Sequence, residues 1–312
     1  MYNKILVTGG TGFVGTNLCA YLKQNYGARI VVADSAMCDL RDRTAVRHYF
    51  HTLKPDCVIH LAATCGGIGA NRAAPGTFMN NNLLMGLNTI NAALEYEVEK
   101  FIMMGTICAY PKYTKIPFKE ENMWTGYPEE TNAPYGIAKK ALTELLIAYN
   151  QQFGFNSVSL YPTNMYGPHD NFDPDTSHVI PAIMLKVYKT VAQGDGRITL
   201  WGDGSPTRDF LYVNDLCRAV VLALDKNPGP SPINVGTNQE ISIKDLTTKI
   251  CRILKFDGEI EWDTTQPNGQ PRRCVSTEHA EMVLGYKPAT NFDKGLEKTI
   301  RWFLNNVHEV WK

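Results

Sequence analysis

The feature that most constrains the fold is an alternation of short apolar runs with amphipathic stretches through the first half of this 312-residue chain. The pattern predicts strands at 4–8, 29–34, 57–62, 101–104 and 157–161, and helices at about 13–22, 44–53, within 82–96 and 135–153. Uniformly apolar strands joined by helices indicate a parallel sheet covered on both faces. We therefore expect a doubly wound α/β fold, whose ligand site lies at the carboxyl ends of the strands.

The chain changes character after about residue 166, where turn-rich segments replace the regular alternation. Short apolar runs at 209–213 and 233–235 predict strands that return to the sheet, and 241–254 and 294–303 predict amphipathic helices. We expect a dinucleotide-binding domain over 1–165, with a return segment at about 209–236. Residues 166–208 and 237–312 would then form a second, smaller, interleaved α/β domain that binds substrate.

Composition excludes several classes of protein. Lys plus Arg and Asp plus Glu both number 31, so no charge excess favours nucleic acid or a membrane surface as partner. The amino terminus runs directly into a strand pattern, without the layout of a secretion signal, and no apolar run is long enough to span a membrane. The eight cysteines are scattered without metal-like spacing. We expect a reduced, cytoplasmic protein with no bound metal.

A glycine-rich loop follows the first predicted strand and opens the first helix. The segment 9–15 (GGTGFVG) places Gly9, Gly12 and Gly15 at GxxGxxG spacing. Glycines at such a turn allow the backbone to approach a pyrophosphate, whose charge meets the helix amino terminus. In this strand–loop–helix context the loop predicts dinucleotide binding, whereas the same residues alone are also typical of a simple tight turn.

Asp34 ends the second predicted strand, where a carboxylate commonly accepts the adenine-ribose hydroxyls and disfavours a 2′-phosphate. A strand-end turn residue is the other interpretation. Arg41 and Arg43 follow closely and are candidates to accept a 2′-phosphate instead. The residues themselves leave the choice between NAD and NADP open.

Tyr135 and Lys139 lie four residues apart, on one face of a predicted helix. An unperturbed tyrosine has a pKa of about 10, and we expect the neighbouring cation and the positive charge of the cofactor to lower it. The phenol can then exchange a proton with a carbonyl oxygen. Thr106 follows the fourth strand, where its hydroxyl can bond the same oxygen. These three side chains predict carbonyl chemistry that depends on a nicotinamide cofactor.

The glycine loop, Thr106, Tyr135 and Lys139, in this order, resemble the extended short-chain dehydrogenase/reductases, a family with a Rossmann fold. The segments 60–63 (HLAA) and 208–213 (RDFLYV) add to a resemblance that covers nearly the whole chain. Longer segments are similar to the GDP-L-fucose synthase family. They are 66–71 (GGIGAN), Cys108 just after Thr106, 162–172 (PTNMYGPHDNF), 177–181 (SHVIP) and 267–273 (PNGQPRR).

The narrower resemblance implies a homodimeric 3,5-epimerase and 4-reductase that acts on GDP-4-keto-6-deoxy-D-mannose with NADP(H). It implies Thr106, Tyr135 and Lys139 for reduction, and Cys108 and His178 as the acid–base pair that epimerises carbons 3 and 5. Their unperturbed pKa values, about 8.5 and 6.5, suit that work. Without the resemblance, Cys108 is more typical of a small buried residue and His178 of an ordinary loop or helix-cap residue.

Binding residues follow from the same matches. The implied cofactor-binding residues are Gly9, Thr11, Gly12, Phe13, Val14, Gly15, Asp34, Leu61, Ala62, Ala63, Tyr135, Lys139, Pro162, Asn164 and His178. The implied substrate-binding residues are Asn164, Lys186, Trp201, Arg208 and Arg273, of which Lys186, Arg208 and Arg273 suit the GDP diphosphate. Solvated surface charge is the other interpretation of Lys186 and Arg208. Some family members have an arginine in the glycine loop where this chain has Thr11, so NAD(H) remains an alternative cofactor.

Three other functions were weighed against this hypothesis. An epimerase that retains NAD gives no net redox change, which cofactor consumption tests. A reductase of a related GDP-4-keto sugar, such as a heptose, is tested by solvent deuterium at carbons 3 and 5. A non-catalytic dinucleotide sensor is disfavoured, because such proteins usually lack the Tyr/Lys pair that this chain has.

Overall fold

The computed structural model describes residues 2–266 and 268–310, so Pro267, the first residue of the late PNGQPRR motif, lies outside the described residues. The strands are β1 Lys4–Thr8, β2 Arg29–Ala33, β3 Cys57–His60, β4 Lys100–Met104, β5 Ser157–Pro162, β6 Asn164–Tyr166, β7 Arg197–Trp201, β8 Thr207–Arg208, β9 Phe210–Tyr212, β10 Pro232–Val235, β11 Ile241–Ser242, β12 Glu259–Asp263 and β13 Arg272–Arg273. The α-helices are α1 Phe13–Asn25, α2 Arg43–Leu53, α3 Ile68–Ala73, α4 Pro75–Glu95, α5 Ala133–Phe153, α6 Val179–Gln193, α7 Val213–Asp225, α8 Ile243–Leu254, α9 Glu278–Leu284 and α10 Phe292–Val310. Two short 3₁₀ turns cover Ile107–Ala109 and Glu120–Trp124.

Six parallel strands form the central sheet, in the order β10-β5-β4-β3-β1-β2. The predicted doubly wound α/β fold is confirmed. Every residue of β3, β4 and β5 is buried, which explains why these strands are mainly apolar and lack an exposed polar face. The order of strands reverses between β1 and β3, so the crevice at their carboxyl ends is where such a fold binds its ligand.

Two hydrophobic clusters cover the two faces of this sheet. On one face, α1 and α7 contribute Leu18, Leu22, Leu216 and Val220, among others. On the other, α2, α4 and α5 contribute Phe50, Ile90, Leu142 and Leu146, among others. A third cluster lies apart from the sheet and joins α6, α8 and α10.

The later part of the chain differs in one respect from the predicted strands. β10 joins the central sheet beside β5, as expected. The run at 209–213 does not return to that sheet, because β9 pairs in parallel with β6 in a separate two-stranded sheet. The remaining strands form small sheets of order β11-β8-β13 and β12-β7. The prediction for 209–213 was therefore wrong, since apolarity marks a buried strand but does not select its partner.

The boundaries of the predicted helices agree within a few residues except for the end of α10, which continues to Val310 rather than 303, and the start of α4. This helix begins at Pro75, seven residues before the predicted segment, and proline suits the first helical position because an N–H there would have no partner within the helix. Within the described part of the chain no helix is long and apolar enough to cross a membrane.

Candidate active site

The loop between β1 and α1 lies at the crevice where the strand order reverses. Gly9 has a φ of +69°, and a Cβ at this position would lie 2.7 Å from the backbone nitrogen of Ala62. Only glycine allows both this turn and this approach. Thr11 and Gly12 are exposed, and α1 begins at Phe13 after Gly12, which provides no side-chain cap. The loop therefore presents exposed backbone at a helix amino terminus, which fits the pyrophosphate of a dinucleotide.

The residues after β3 form the other wall of this crevice. Leu61, Ala62 and Ala63 are half-buried, and the Thr8 hydroxyl lies 2.9 Å from His60 Nδ1. Burial, followed by the charge of Lys139, lowers the pKa of His60 to about 3, so this imidazole is neutral at physiological pH. His60 thus lies directly behind the predicted cofactor site without adding charge to it.

Asp34, predicted as the last residue of the second strand, lies one residue beyond the end of β2, and its side chain closes the turn that comes next. One carboxylate oxygen accepts the backbone N–H groups of Ala36 at 3.0 Å and Met37 at 2.9 Å. This oxygen of Asp34 therefore has the role of a strand-end turn residue, the second of the two interpretations given above. Arg41 is paired with Asp39 at 2.8 Å, whereas Arg43 is exposed at the start of α2.

The start of α5 packs directly against the 3₁₀ turn after β4. A Cβ on Gly136 would lie 2.3 Å from the carbonyl oxygen of Cys108, so any larger residue would force the two segments apart. The Thr106 hydroxyl accepts the N–H of Cys108 at 3.2 Å and so caps this turn. These contacts bring Thr106 and Cys108 beside Tyr135, although 27 to 29 residues separate them in sequence.

Burial dominates the electrostatics at this point. It raises the pKa of Tyr135 well above its usual value, as do the charges of Cys65 and Cys108, while a hydrogen bond with Thr106 acts the opposite way. Lys139 is 1% exposed, and burial lowers its pKa to about 8. Desolvation, which the prediction did not include, therefore opposes the lowering of the Tyr135 pKa expected from the neighbouring cation and the charge of the cofactor. At neutral pH the phenol keeps its proton and the ammonium keeps its charge.

His178 precedes α6 at the other side of the cleft. Its side chain is accessible, yet enough protein surrounds it for desolvation to lower its pKa, which favours the neutral imidazole. Backbone contacts hold this segment to the GGIGAN motif, since the Gly67 N–H donates to the Thr176 carbonyl at 3.1 Å. Asn71 in turn donates to the carbonyls of Gly66 and Gly67 at 2.9 and 3.0 Å.

Two arginines lie side by side where β8 pairs with β13. Arg208 is directly opposite Arg273 in the parallel register. Burial and then the charge of Arg273 lower the pKa of Arg208 to about 10, while Cys108 and Glu240 oppose this. Adjacent guanidinium groups repel each other unless an anion lies between or beside them. The pair is thus a suitable site for phosphate oxygens.

The other predicted substrate residues are more dispersed. The Lys186 ammonium donates to the Thr199 carbonyl at 2.7 Å, and Asn164 donates to the Asp209 carbonyl at 3.2 Å. Trp201 is 61% exposed and lines a cavity of about 370 Å³ together with Ile68, Gly69, Arg72, Ala73 and Gln266. Pro162 is the buried last residue of β5. Lys186 and Asn164 therefore have structural partners, and their roles in binding stay predictions.

Two residues of the cleft were missed by the sequence reasoning. Cys65 is exposed, but burial raises the pKa of its thiol, with Lys139 and then Asp170 as the nearby charges. Burial raises the pKa of Asp170 to about 7, and its Oδ2 has no hydrogen-bond partner among the described residues. No local pattern marks either residue, since each lies in an irregular loop. Among the residues that the structure describes, no cluster of histidine, cysteine and acidic side chains is arranged to hold a metal ion.

Known proteins are similar to this chain in both sequence and fold. The profile of the NAD dependent epimerase/dehydratase family matches residues 5–236. A GDP-L-fucose synthase of Sinorhizobium fredii is 40% identical over 304 residues, which cover 97% of this chain and 96% of that protein.

Two solved structures extend the comparison. A GDP-L-fucose synthetase from Naegleria fowleri bound to NADP has a TM-score of 0.89 and 29% identity, covering 99% of this chain and 96% of that one. A GDP-6-OMe-4-keto-L-xylo-heptose reductase from C. jejuni has a TM-score of 0.92 and 26% identity, covering 97% and 98%. The chain belongs to the NAD dependent epimerase/dehydratase family and, within it, is a homologue of the GDP-L-fucose synthases.

Proposed function

We propose that this chain converts GDP-4-keto-6-deoxy-D-mannose to GDP-L-fucose with NADPH, by epimerising carbons 3 and 5 and reducing the C4 ketone. The observation that supports this most is the meeting of two kinds of group in one cleft. Tyr135, Thr106 and Lys139 are groups that can bind and protonate a carbonyl oxygen. Cys108, which lies beside them, is a group that can exchange a proton with carbon. The curated relatives named GDP-L-fucose synthase support the same substrate.

The cofactor would be held by the crevice between the β1 and β3 loops, with Pro162, Asn164 and His178 further along it. When bound, NADPH supplies the hydride that reduces the C4 ketone. Because the Asp34 carboxylate closes a turn, its presence is weaker evidence that the chain prefers NAD. The relative whose structure contains NADP supports NADPH. Arg43, exposed near this turn, is the cation we assign to the 2′-phosphate.

The reduction needs a proton for the C4 oxygen, and Tyr135 is the group we assign to donate it. Its raised pKa keeps the phenol protonated until negative charge develops on the substrate oxygen. The Thr106 hydroxyl donates a second hydrogen bond to that oxygen. Lys139, charged at neutral pH, stabilises the anionic form of Tyr135 after the transfer.

Epimerisation uses the acidity that the C4 carbonyl gives to the protons on carbons 3 and 5. Cys108 and His178 are the groups we assign to remove each proton and return one on the opposite face. Tyr135 and Thr106 stabilise the enolate oxygen in the meantime.

The second part of the chain would hold the nucleotide. We assign Arg208 to the diphosphate, with Lys186 and Arg273 as further cations of the same region and Trp201 at the edge of the nucleotide site. On this proposal residues 1–165 and 209–236 bind the cofactor, and 166–208 and 237–312 bind the substrate. We also propose a cytoplasmic homodimer that associates through helices of the first part; fractionation and light scattering test these two points.

The deciding experiment is turnover of GDP-4-keto-6-deoxy-D-mannose with NADPH and with NADH, in deuterium oxide. We expect faster turnover with NADPH, one equivalent consumed per product, and deuterium at carbons 3 and 5 of a product with the L-galacto configuration. Product without consumption of cofactor would indicate an epimerase that retains its nucleotide. No turnover with this substrate would refute the proposal.

A second candidate is reduction of a GDP-4-keto heptose without epimerisation. The heptose reductase from C. jejuni, which aligns with this chain at a TM-score of 0.92, favours it. Both candidates use Tyr135 and Lys139, so these residues do not separate them. Deuterium at carbons 3 and 5 does, because only the epimerase exchanges protons there.

A further inference from the structure

Arg273 makes a contact that its predicted role in diphosphate binding does not explain. Its Nη1 lies 3.7 Å from Cys108 Sγ, a distance at which a guanidinium N–H donates to sulfur. The two residues are 165 positions apart in sequence. The contact exists only because the strand pair of β8 and β13 places Arg273 next to the turn after β4.

Other contacts fix the direction of this guanidinium. Arg273 Nε donates to Gln270 Oε1 at 2.7 Å, and the buried Gln270 amide donates to the Lys112 carbonyl at 2.9 Å. The Arg273 carbonyl accepts the N–H of Asp209 at 2.9 Å, which holds its backbone. One edge of the guanidinium is thus bound by protein, and another edge faces the sulfur.

The neighbouring arginine shows what is distinctive about this arrangement. Arg272 is exposed and forms an ion pair with Glu240. Arg273 has no ion pair with a carboxylate among the described residues, and its neighbour across the strand pair is a second cation, Arg208. Positive charge beside a cysteine favours the thiolate over the thiol. Arg273 contacts the Cys108 sulfur, and Arg208 lies opposite Arg273 across the strand pair.

We propose that Arg273 is a positioning residue for Cys108, whose guanidinium directs the sulfur and balances the negative charge of its thiolate form. This inference rests on the proposed epimerisation. Cys108 begins as a thiolate if it removes a proton from carbon and ends as one if it supplies a proton. Arg273 therefore assists the transfer in either direction, while Tyr135 and Thr106 act on the C4 oxygen.

The test measures the reactivity of Cys108 without substrate. Iodoacetamide is added to the full chain at pH 7, and alkylation is followed by mass spectrometry of the peptide that contains Cys108. Because only the thiolate reacts, Arg273→Gln is expected to slow alkylation about tenfold. Arg273→Lys, which keeps a cation, should restore most of the rate. Arg272→Gln is the matched control and should leave it unchanged.

Cys65 is an internal control in the same molecules. It is exposed in the same cleft, and the charges that act on its pKa are those of Lys139 and Asp170. Its alkylation rate should not change in Arg273→Gln. If Cys108 is alkylated at the same rate in Arg273→Gln and in the wild type, the proposal is overturned. An equal decrease of the alkylation rates of Cys65 and Cys108 in Arg273→Gln would also overturn it.

Two further measurements keep the test decisive. Gln270→Ala removes the partner of Arg273 Nε without removing the cation, and the alkylation rate of Cys108 is expected to fall about threefold. An unchanged rate in both Gln270→Ala and Arg273→Gln would contradict the proposed role. With substrate, Arg273→Gln should slow deuterium exchange more than reduction of a pre-epimerised ketone. If the wild type exchanges no deuterium, the proposed function fails even where the reactivity of Cys108 still depends on Arg273.

Discussion

The two sides of the cleft are built differently. On one side, Thr106, Tyr135 and Lys139 lie at the carboxyl end of β4 and the start of α5, which are regular elements packed on the central sheet. On the other side, Arg208 and Arg273 come from two-residue strands, and His178 from a loop. Burial shifts pKa values on both sides, but only on the first is a charged side chain, Lys139, almost fully buried. The second carries exposed or half-buried charge that is suited to an anionic ligand.

This difference indicates a division of labour between the two sides. On the proposed function, rigid packing would hold the groups assigned to exchange protons with the C4 oxygen, since their alignment must survive each turnover. The irregular side would then determine which nucleotide sugar binds. Variants on the first side should therefore alter chemistry and stability, and variants on the second should alter binding.

Loss of the Tyr135 hydroxyl should have the largest effect. Tyr135→Phe is expected to lower turnover about 1000-fold, because it removes the group assigned to donate a proton to the C4 oxygen. Affinity for NADPH, measured by fluorescence titration, should stay the same. Tyr127→Phe, at an exposed phenol, is the matched control. Undiminished turnover in Tyr135→Phe would refute the central assignment.

Lys139→Met should separate stability from activity. The folded pKa of Lys139, about 8, lies below its usual 10.5, so burial of the charge costs stability at neutral pH. The variant should lose turnover yet unfold in urea with a free energy about 3 kcal/mol higher at pH 7. This gain should shrink as pH rises from about 8 to 10.5, where the wild type loses the buried charge. A variant less stable than the wild type at pH 7 would contradict the desolvation argument.

Cys108→Ser tests whether the proton chemistry of carbon is separate from that of oxygen. Deuterium exchange at carbons 3 and 5 should fall about 100-fold, because a serine hydroxyl ionises far less readily than a thiol. Reduction of a pre-epimerised ketone should be affected less. Cys65→Ser controls for a change of thiol elsewhere in the cleft. An equal loss of both activities in Cys108→Ser would place this residue in the reduction instead.

Arg208→Gln should affect binding rather than chemistry. Loss of one charge-assisted contact with the diphosphate is expected to raise the Kd for GDP about tenfold in calorimetry. Affinity for NADPH should not change. Arg197→Gln removes an exposed arginine paired with Glu259 and serves as the control. Unchanged affinity for GDP in Arg208→Gln would show that the diphosphate does not bind beside β8.

The smallest effect is expected at Asp34. Asp34→Asn keeps an oxygen that can accept the N–H groups of Ala36 and Met37 but removes the charge. The ratio of kcat/KM for NADPH to that for NADH should rise about threefold, since a partly exposed charge is screened by solvent. An unchanged ratio would show that Asp34 acts only in the turn.

Much of the first side could be predicted from the sequence. The five strand runs, the glycine loop and the placement of Tyr135 and Lys139 one turn apart on α5 are local patterns with a fixed period, and the structure contains them. The sequence also singled out Arg208 and Arg273. It did not show that they would face each other, because a two-residue strand has no periodicity from which its partner follows.

The sequence by itself determined the doubly wound sheet, the cofactor loop and the identity of the chemical groups, because periodicity, glycine spacing and residue type are properties of the chain. Only the tertiary structure decided the environment of those groups. Burial in the folded chain raises the pKa of Tyr135, and β9 pairs with β6 instead of joining the central sheet. The fold also brings Cys65 into the cleft and places Arg273 in contact with Cys108. Desolvation and long-range contacts depend on which segments meet in space, and no local pattern contains that information.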